Sequence, residues 1–372
     1  MKTVCGIDCN ACYACYDICP SKAITIKDCL SFSKAEIDSI KCIECNMCTK
    51  VCPQINPSKF KKPMNWYQGW SADEETRRRS SSGGIASELI NYCICNGYYV
   101  CSCRFFEGEF VFTCTNEKTI ALNFTGSKYV KSNAKGAYSS VKQLLADGEK
   151  VLFIGLPCQS AALQNFIPER LRERLIIVDL ICHGTPSAKL LKSALDECDI
   201  NINTLTDFKF RTGSSFSIST SDSIVKNIRL DTYLLGFLKG DYYTENCYNC
   251  KYACTNRTSD ITLGDSWGTN LTDELKNGIS LVLIQSKKGE NLIKESNIVL
   301  FEVDINKAIS ANGQLRHPTE RTKKVSLFYK RMNETDSFFK SFSRIEKKLY
   351  FKQVLKVILY KLKIYKPGML AK

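Results

Sequence analysis

Cys9-Asn10-Ala11-Cys12-Tyr13-Ala14-Cys15-Tyr16-Asp17-Ile18-Cys19-Pro20 and Cys42-Ile43-Glu44-Cys45-Asn46-Met47-Cys48-Thr49-Lys50-Val51-Cys52-Pro53 decide how this chain is read. Each stretch runs C-x2-C-x2-C-x3-C-P. Three thiolates at i, i+3 and i+6 on a tight loop reach three irons of one cubane. The fourth cysteine leaves on the following segment, and the proline after it turns the chain away. A disulfide framework or a pair of zinc sites is the competing reading. Neither accounts for two full copies of the run with proline at the same offset. The chemistry implied is one-electron transfer through two 4Fe–4S centres.

Bacterial two-cluster ferredoxins use this run, and in them the fourth cysteine of each copy ligates the other cluster. The assignment is therefore Cys9, Cys12, Cys15 and Cys52 to a first centre, and Cys42, Cys45, Cys48 and Cys19 to a second. Residues 1–57 form a ferredoxin-like module, with short strand and helix material between the two runs. Pro57 to Pro63, with Lys59, Lys61 and Lys62, reads as a linker. At 372 residues the chain is too long for that module alone.

A hydrophobic content of 44% with 24% charged residues suits a globular protein with a sizeable core. The 21 cysteines are not read as a secreted disulfide scaffold. Met1 to Asp8 lacks the apolar stretch of a secretory signal, and thiolate-ligated clusters need a reducing compartment. The expected location is cytoplasmic, with the inner face of the membrane as a peripheral site. No run approaches the roughly 18–20 apolar residues of a membrane span. The net charge of +14 is concentrated late in the chain. From Arg344 to Lys372 the basic residues are opposed by Glu346 alone. Such a field suits an anionic membrane surface or an acidic redox partner. With no zinc finger, helix-turn-helix or RNP-type run, nucleic acid is excluded as the partner.

Arg77-Arg78-Arg79 and Ser80 to Gly84 read as the start of a helix that Gly97 stops, followed by a strand from Tyr98. That helix start is either an anion seat or a simple cap. The middle of the chain then alternates buried strands and helices. Lys150–Ile154 is a strand, Gly155 to Gln159 its loop, and a helix follows. Leu175–Ile181 is a strand, Cys182 to Pro186 its loop, and Ser187–Glu197 a helix. The pattern predicts an α/β core with a largely parallel sheet, whose ligands lie outside the carboxyl ends of the strands. Cys158, Cys182 and His183 fall at that edge. Asp207–Ile228 reads as β-hairpin material, Ile279–Gln285 as a strand and Gly289–Ser296 as a helix. The overall class is α+β and α/β combined: the ferredoxin-like module, the core, and a basic amphipathic helical tail at 332–372. Core residues divide at 64–145 and 146–325.

Cys247-x2-Cys250 is a metal knuckle. Together with Cys158 and Cys182 it is assigned to a third 4Fe–4S centre, with Cys254 as the alternative ligand and a zinc knuckle as the competing site. Cys5, Cys29, Cys93, Cys95, Cys101, Cys103, Cys114 and Cys198 are taken as ordinary small buried residues.

The dicluster run, Ser81-Ser82-Gly83-Gly84, Gly126-Ser127-Lys128-Tyr129, Gly155-Leu156-Pro157-Cys158-Gln159, Cys182-His183-Gly184, Cys247-x2-Cys250 and Asp260 to Gly268 occur in that order. In this order the chain resembles the coenzyme F-420 hydrogenase/dehydrogenase beta-subunit family over about residues 5–320. It departs from the family's Gly-Asp-Phe-Trp-Gly at Ser266. The resemblance implies FAD, for which the sequence has no G-x-G-x-x-G fingerprint. It makes Ser82, Gly83, Gly84, Lys128, Gly155, Gln159, Asp265 and Trp267 candidate flavin contacts and His183 a candidate proton donor. It also implies an iron–sulfur, flavin-dependent oxidoreductase that relays electrons to a second acceptor. Coenzyme F-420 itself and an intermediate of polysaccharide biosynthesis are the candidate substrates. The expected partner is a redox protein or larger oxidoreductase complex. The alternative is a non-catalytic electron-transfer adaptor.

Overall fold

Continuous apolar runs build the central strands of this chain. The computed structural model describes residues 2–211 and 215–366. Strands β1 (Lys2–Thr3), β2 (Ile24–Asp28) and β3 (Ser33–Ile37) make a small antiparallel sheet in the order β1-β3-β2. Next come β4 (Asn65–Ser71), β5 (Tyr99–Phe106), β6 (Glu109–Thr115), β7 (Val151–Gly155) and β8 (Leu175–Leu180). Two-residue strands β9 (Phe208–Lys209) and β10 (Ser219–Thr220) pair with each other. Then follow β11 (Ile261–Asp265), β12 (Ser280–Ile284) and β13 (Ile298–Glu302).

The large sheet has the order β13-β4-β12-β11-β8-β7-β5-β6. Its centre, β11-β8-β7-β5, is parallel, and both flanks are antiparallel. Every residue of β7 and β12 is buried, as strands covered on both faces require. Successive side chains of β7 go to opposite sides. Val151 and Phe153 pack with Tyr138, Leu163 and Phe166 on one face, while Leu152 and Ile154 pack with Ile85, Leu89 and Leu292 on the other. The carboxyl ends of β5, β7, β8 and β11 therefore lie at one edge.

The sheet runs without interruption across the expected 145/146 division, since β5 from the first part pairs with β7 from the second. Two expectations shift at helix starts. Pro157–Phe166 is helical, so Cys158 and Gln159 stand in a first turn rather than in a loop, with Pro157 preset for helix entry. Within the expected hairpin at 207–228, β9 and β10 pair, but a helix runs over Ile224–Lys239 behind the Ser223 cap. The expected tail boundary at 332 falls inside the helix Lys323–Thr335. Beyond it Phe338 and Phe342 are fully buried in one aromatic core with Tyr233, Tyr242 and Phe328. Only Lys347–Lys361 resembles the open amphipathic helix read from the sequence, and residues 367–372 lie outside the described residues.

The dicluster module is seated on the core rather than strung from it. The Asp17 carboxylate accepts from the amides of Gly136 (2.7 Å) and Tyr138 (3.1 Å), capping the helix Ala137–Ala146. Asp28 accepts from Ser187 Oγ at 2.7 and 2.8 Å beside the next helix start. The segment read as a linker is held too: Ser58 Oγ donates to Asn165 Oδ1 (2.6 Å), and Lys61 exchanges backbone bonds with Arg257.

Candidate metal centres

Both cysteine runs fold alike, down to single dihedral angles. Ala11 and Tyr13 in the first have φ of 49° and 68°; Glu44 and Asn46, at the same offsets in the second, have 54° and 57°. Left-handed non-glycine residues each cost about 1–3 kcal/mol and persist only where the surroundings fix them. Here they curl the loop so that successive thiols face one volume. Each loop then enters a five-residue helix, Ala14–Ile18 or Met47–Val51, which ends at the fourth cysteine in extended conformation.

Cys9, Cys12, Cys15 and Cys52 line one cavity, the set assigned to the first centre. All four are buried. The Ala11 amide donates to Cys9 Sγ at 3.4 Å, and burial raises the Cys12 and Cys15 thiols far above the ordinary range. Cys5 lines the same cavity, which corrects its reading as an incidental small residue. The Cys5 thiol beside them holds Cys52 down at about 6 and Cys9 below its usual value.

The second set has a different setting. Cys45 is exposed, and Cys19, Cys42 and Cys48 are half-buried. Desolvation, and then the neighbouring Cys19 and Cys45, raise the Cys48 thiol. Around this set Ile40 is 97% and Ile43 64% exposed, so it faces solvent.

Cys158, Cys182, Cys247 and Cys250 line a single cavity at the carboxyl edge of β7 and β8. It holds about 40 Å³, against the roughly 10–15 Å³ that one water needs. Desolvation, the largest cause, and the other thiols of the set raise Cys158 to about 12 and Cys250 to about 11. The Thr185 amide donates to Cys247 Sγ at 3.4 Å. Cys254 is not part of the lining; its thiol donates to the Asn256 carbonyl at 3.1 Å.

The rest of this wall is rich in donors. Arg257 is 1% exposed, with Nε and Nη2 unpartnered, and Tyr252 Oη and Asn10 Nδ2 are also unpartnered. Lys131 lines the cavity as well. Buried donors without acceptors cost about 1–3 kcal/mol each. Four thiols with a surplus of donors and cations suit an anionic sulfide-bearing group. Among the described residues no three Cys, His, Asp or Glu side chains meet at single-ion spacing.

The residues assigned to flavin gather along the same sheet edge. Ser82 Oγ donates to the Ile279 carbonyl at 2.9 Å, and Asp265 lies opposite Ser280 in register. Lys128 Nζ donates to the carbonyls of Phe124 (2.6 Å) and Thr125 (3.0 Å), no carboxylate pairs with it among the described residues, and burial of its ammonium lowers it to about 8. A half-buried cation bonded to carbonyls fits an anion such as a phosphate. Two of the other positions have packing reasons of their own. A Cβ on Gly83 would collide with the Gly69 carbonyl and the Ser280 amide, and Gly84 opens the helix Ile85–Cys95 at φ 83°. The first turn of that helix already contains a carboxylate, Glu88, buried and bonded to Ser71 Oγ at 2.8 Å. Gly155 ends β7 against Gln159, whose Nε2 donates to Ser132 Oγ (3.0 Å) in the cysteine cavity. Asp265 is paired with Arg211 at 2.7 Å, Trp267 is 40% exposed, and His183 is exposed at the rim of the cavity.

Sequence reasoning missed Cys5, Asn10, Lys131, Tyr252, Arg257 and Arg211. Only Cys5, four residues before Cys9, left a signal in the sequence.

Residues 148–305 match the family model for the C terminus of the coenzyme F420 hydrogenase/dehydrogenase beta subunit, and residues 8–56 match a 4Fe-4S dicluster domain. The chain is 22% identical over 288 residues to the F subunit of the F(420)H(2) dehydrogenase of Methanosarcina mazei, covering 70% of this chain and 78% of that protein. Over 54 residues, 14% of this chain and 19% of the relative, it is 41% identical to the B subunit of an ion-translocating oxidoreductase complex of Methanosarcina acetivorans. A chain of the F420-reducing [NiFe] hydrogenase complex from Methanosarcina barkeri aligns with a TM-score of 0.49 and 18% identity, over 74% of this chain and 95% of that one.

Proposed function

We propose that the chain, whose residues 148–305 match the C terminus of the coenzyme F420 hydrogenase/dehydrogenase beta subunit and whose residues 8–56 match a 4Fe-4S dicluster domain, is an iron–sulfur flavoprotein subunit of a larger oxidoreductase. The observation that carries this reading is the cavity of Cys158, Cys182, Cys247 and Cys250, walled by unpartnered buried donors and seated beside the dicluster module. Those four cysteines hold a third 4Fe–4S centre. Lys128, Ser82, Gly83, Gly84, Gly155, Gln159, Asp265 and Trp267 bind FAD along the sheet edge. Bound there, the clusters would supply one-electron steps and FAD their conversion to a two-electron transfer. The chain's own residues do the rest. Cys45 and its neighbours present the outer centre to a redox partner. The buried inner thiols keep water from the relay. His183 stands at the rim to meet the acceptor, a deazaflavin of the coenzyme F-420 type or an intermediate of polysaccharide biosynthesis.

The protein works in the cytoplasm, against an anionic membrane surface. Among the described residues no helix is long and apolar enough to cross a membrane. On Lys347–Lys361 and the turn after it, however, Phe351, Leu355, Ile358 and Leu362 are all exposed, at spacings of four, three and four that make one stripe. Lys347, Lys348, Lys352 and Lys361 flank it, while Gln353 on the opposite side bonds the Ile228 carbonyl at 2.9 Å. Glu346, the acid of this region, is taken up by Lys239 and Lys324. An apolar stripe between lysines is the pattern of a helix lying in an anionic interface. Vesicles with about a third anionic lipid should sediment the protein and neutral vesicles should not. Phe351→Asp with Leu355→Asp should abolish sedimentation, and retention would refute the contact.

Iron, sulfide, zinc and flavin analysis of anaerobically purified protein tests the main reading. About twelve irons and one FAD per chain are expected. About eight irons without flavin would instead leave an electron-transfer adaptor.

A further inference from the structure

Asn10 lies inside the first cysteine run, between Cys9 and Cys12, and it lines two cavities: the one belonging to the first centre and the one formed by Cys158, Cys182, Cys247 and Cys250. It is 7% exposed. Its Oδ1 accepts from Gln54 Nε2 (2.9 Å), two residues beyond Cys52, and from Asn246 Nδ2 (3.1 Å). The same Asn246 Nδ2 lies 3.6 Å from Cys247 Sγ and donates to it. The Asn10 carbonyl accepts from Lys131 Nζ at 3.1 Å. After the Cys5 thiol and the Ala11 amide, the Lys131 charge helps to lower Cys9, and it opposes the burial that raises Cys158. Asn10 Nδ2 has no partner among the described residues, although it is buried. A polar thread thus runs from the ligand loop of one centre to a ligand sulfur of the other, and Asn10 is its midpoint.

We propose that Asn10 is a positioning residue shared by the first and third centres, which sets their potentials together and forms the electron route between them. The physical basis is charge. A cluster gains negative charge on reduction, so N–H donors and cations held near its sulfurs favour the reduced form. Asn10 lines both cavities, keeps an unpartnered N–H, and with Thr244 and Lys131 holds Asn246 beside Cys247. Removing it weakens the reduced form of two centres at once. The second centre, whose cysteines face solvent, has no contact with this thread and serves as the internal reference.

This inference rests on the third cluster, so iron content is measured first, in the wild type. EPR-monitored redox titration of wild type, Asn10→Ala and Asn246→Ala then follows. In Asn10→Ala the ratio of reduced to oxidised first centre, at fixed ambient potential, should fall about tenfold, or ~59 mV for a one-electron couple. The third centre should fall with it and the second stay in place. Asn246→Ala lies outside the dicluster runs and should move the third centre alone. Asn10→Gln, which keeps the amide, should recover part of the shift. Wild-type protein with about eight irons overturns the third cluster and this inference with it. About twelve irons, with the Asn10→Ala shift confined to one centre or absent, overturns the inference alone. If Asn10→Ala loses its first cluster, an unmoved third centre in Asn246→Ala still refutes the thread.

Discussion

The two centres of the dicluster module share a sequence pattern, a backbone and a pair of left-handed residues at matching offsets, yet they live in different solvents. The first is enclosed. Cys12, Ala14 and Val51 pack into the core with Tyr138, Phe153 and Phe166. The second ends in Cys45, Ile40 and Ile43, open to water. What differs is what the core places beside each copy. Local sequence dictates how a cluster is gripped, while tertiary packing dictates its dielectric and its neighbours, and so its potential and its job. The inner centre adjoins the third cavity, and the outer one faces solvent.

Removing one ligand from each copy breaks the comparison most directly. Cys12→Ser should lose about four irons and lower the Tm by roughly 4 °C, near 3 kcal/mol in a chain of this size, because the emptied site adjoins the core. Cys45→Ser should lose the same number of irons with a Tm change of about 2 °C or less. Iron analysis and anaerobic thermal unfolding measure both, and equal Tm losses would mean that the inner centre is not structural. Exposure predicts the next difference. Under a chelator at low oxygen the outer centre's EPR signal should decay about tenfold faster than the inner one's, since solvent access governs attack.

The third cavity extends the comparison to a site whose ligands come from separate parts of the chain. Cys250→Ser should cost about four irons and leave both dicluster signals intact. Cys254→Ser, outside the lining, should cost none. Loss of iron in Cys254→Ser would exchange the two ligands.

The same contrast explains what the sequence disclosed. The two cysteine runs were legible because their spacing is local, mostly three residues apart on one loop. That Cys158 and Cys182 meet Cys247 and Cys250 at one cavity was legible because strand ends in an α/β sheet converge on one edge and two of these cysteines sit three apart. The helix Ile224–Lys239 was obscured by neighbouring β-branched and serine residues. Its stability comes instead from Tyr233, Leu234 and Phe237 packing in the aromatic core, a tertiary cause. The helices beyond 332 were read as a tail because Lys and Arg dominate their composition, although Phe338 and Phe342 are core residues. Asn10, Lys131 and Arg257 have no motif at all. Their importance depends on contacts across more than a hundred positions, which no spacing rule encodes.

Cys5 is the finest test of how the inner centre differs from the outer. The second copy offers no counterpart: Asp38, four residues before Cys42, bonds the amides of Ile40 and Cys42 instead of a thiolate. Cys5 lines the cavity of the inner centre and lowers the Cys52 and Cys9 thiols. A thiol donor to a ligand sulfur contributes about 1 kcal/mol, and it favours the more negative, reduced cluster. Cys5→Ala should therefore leave the iron content unchanged and lower the inner potential alone, making reduction about fivefold less favourable at equal ambient potential. Cys5→Ser, which keeps a donor, should restore much of the difference. Were Cys5→Ala instead to shed about four irons, the fifth thiol would be a ligand, and one of the four assigned to that centre would be its donor.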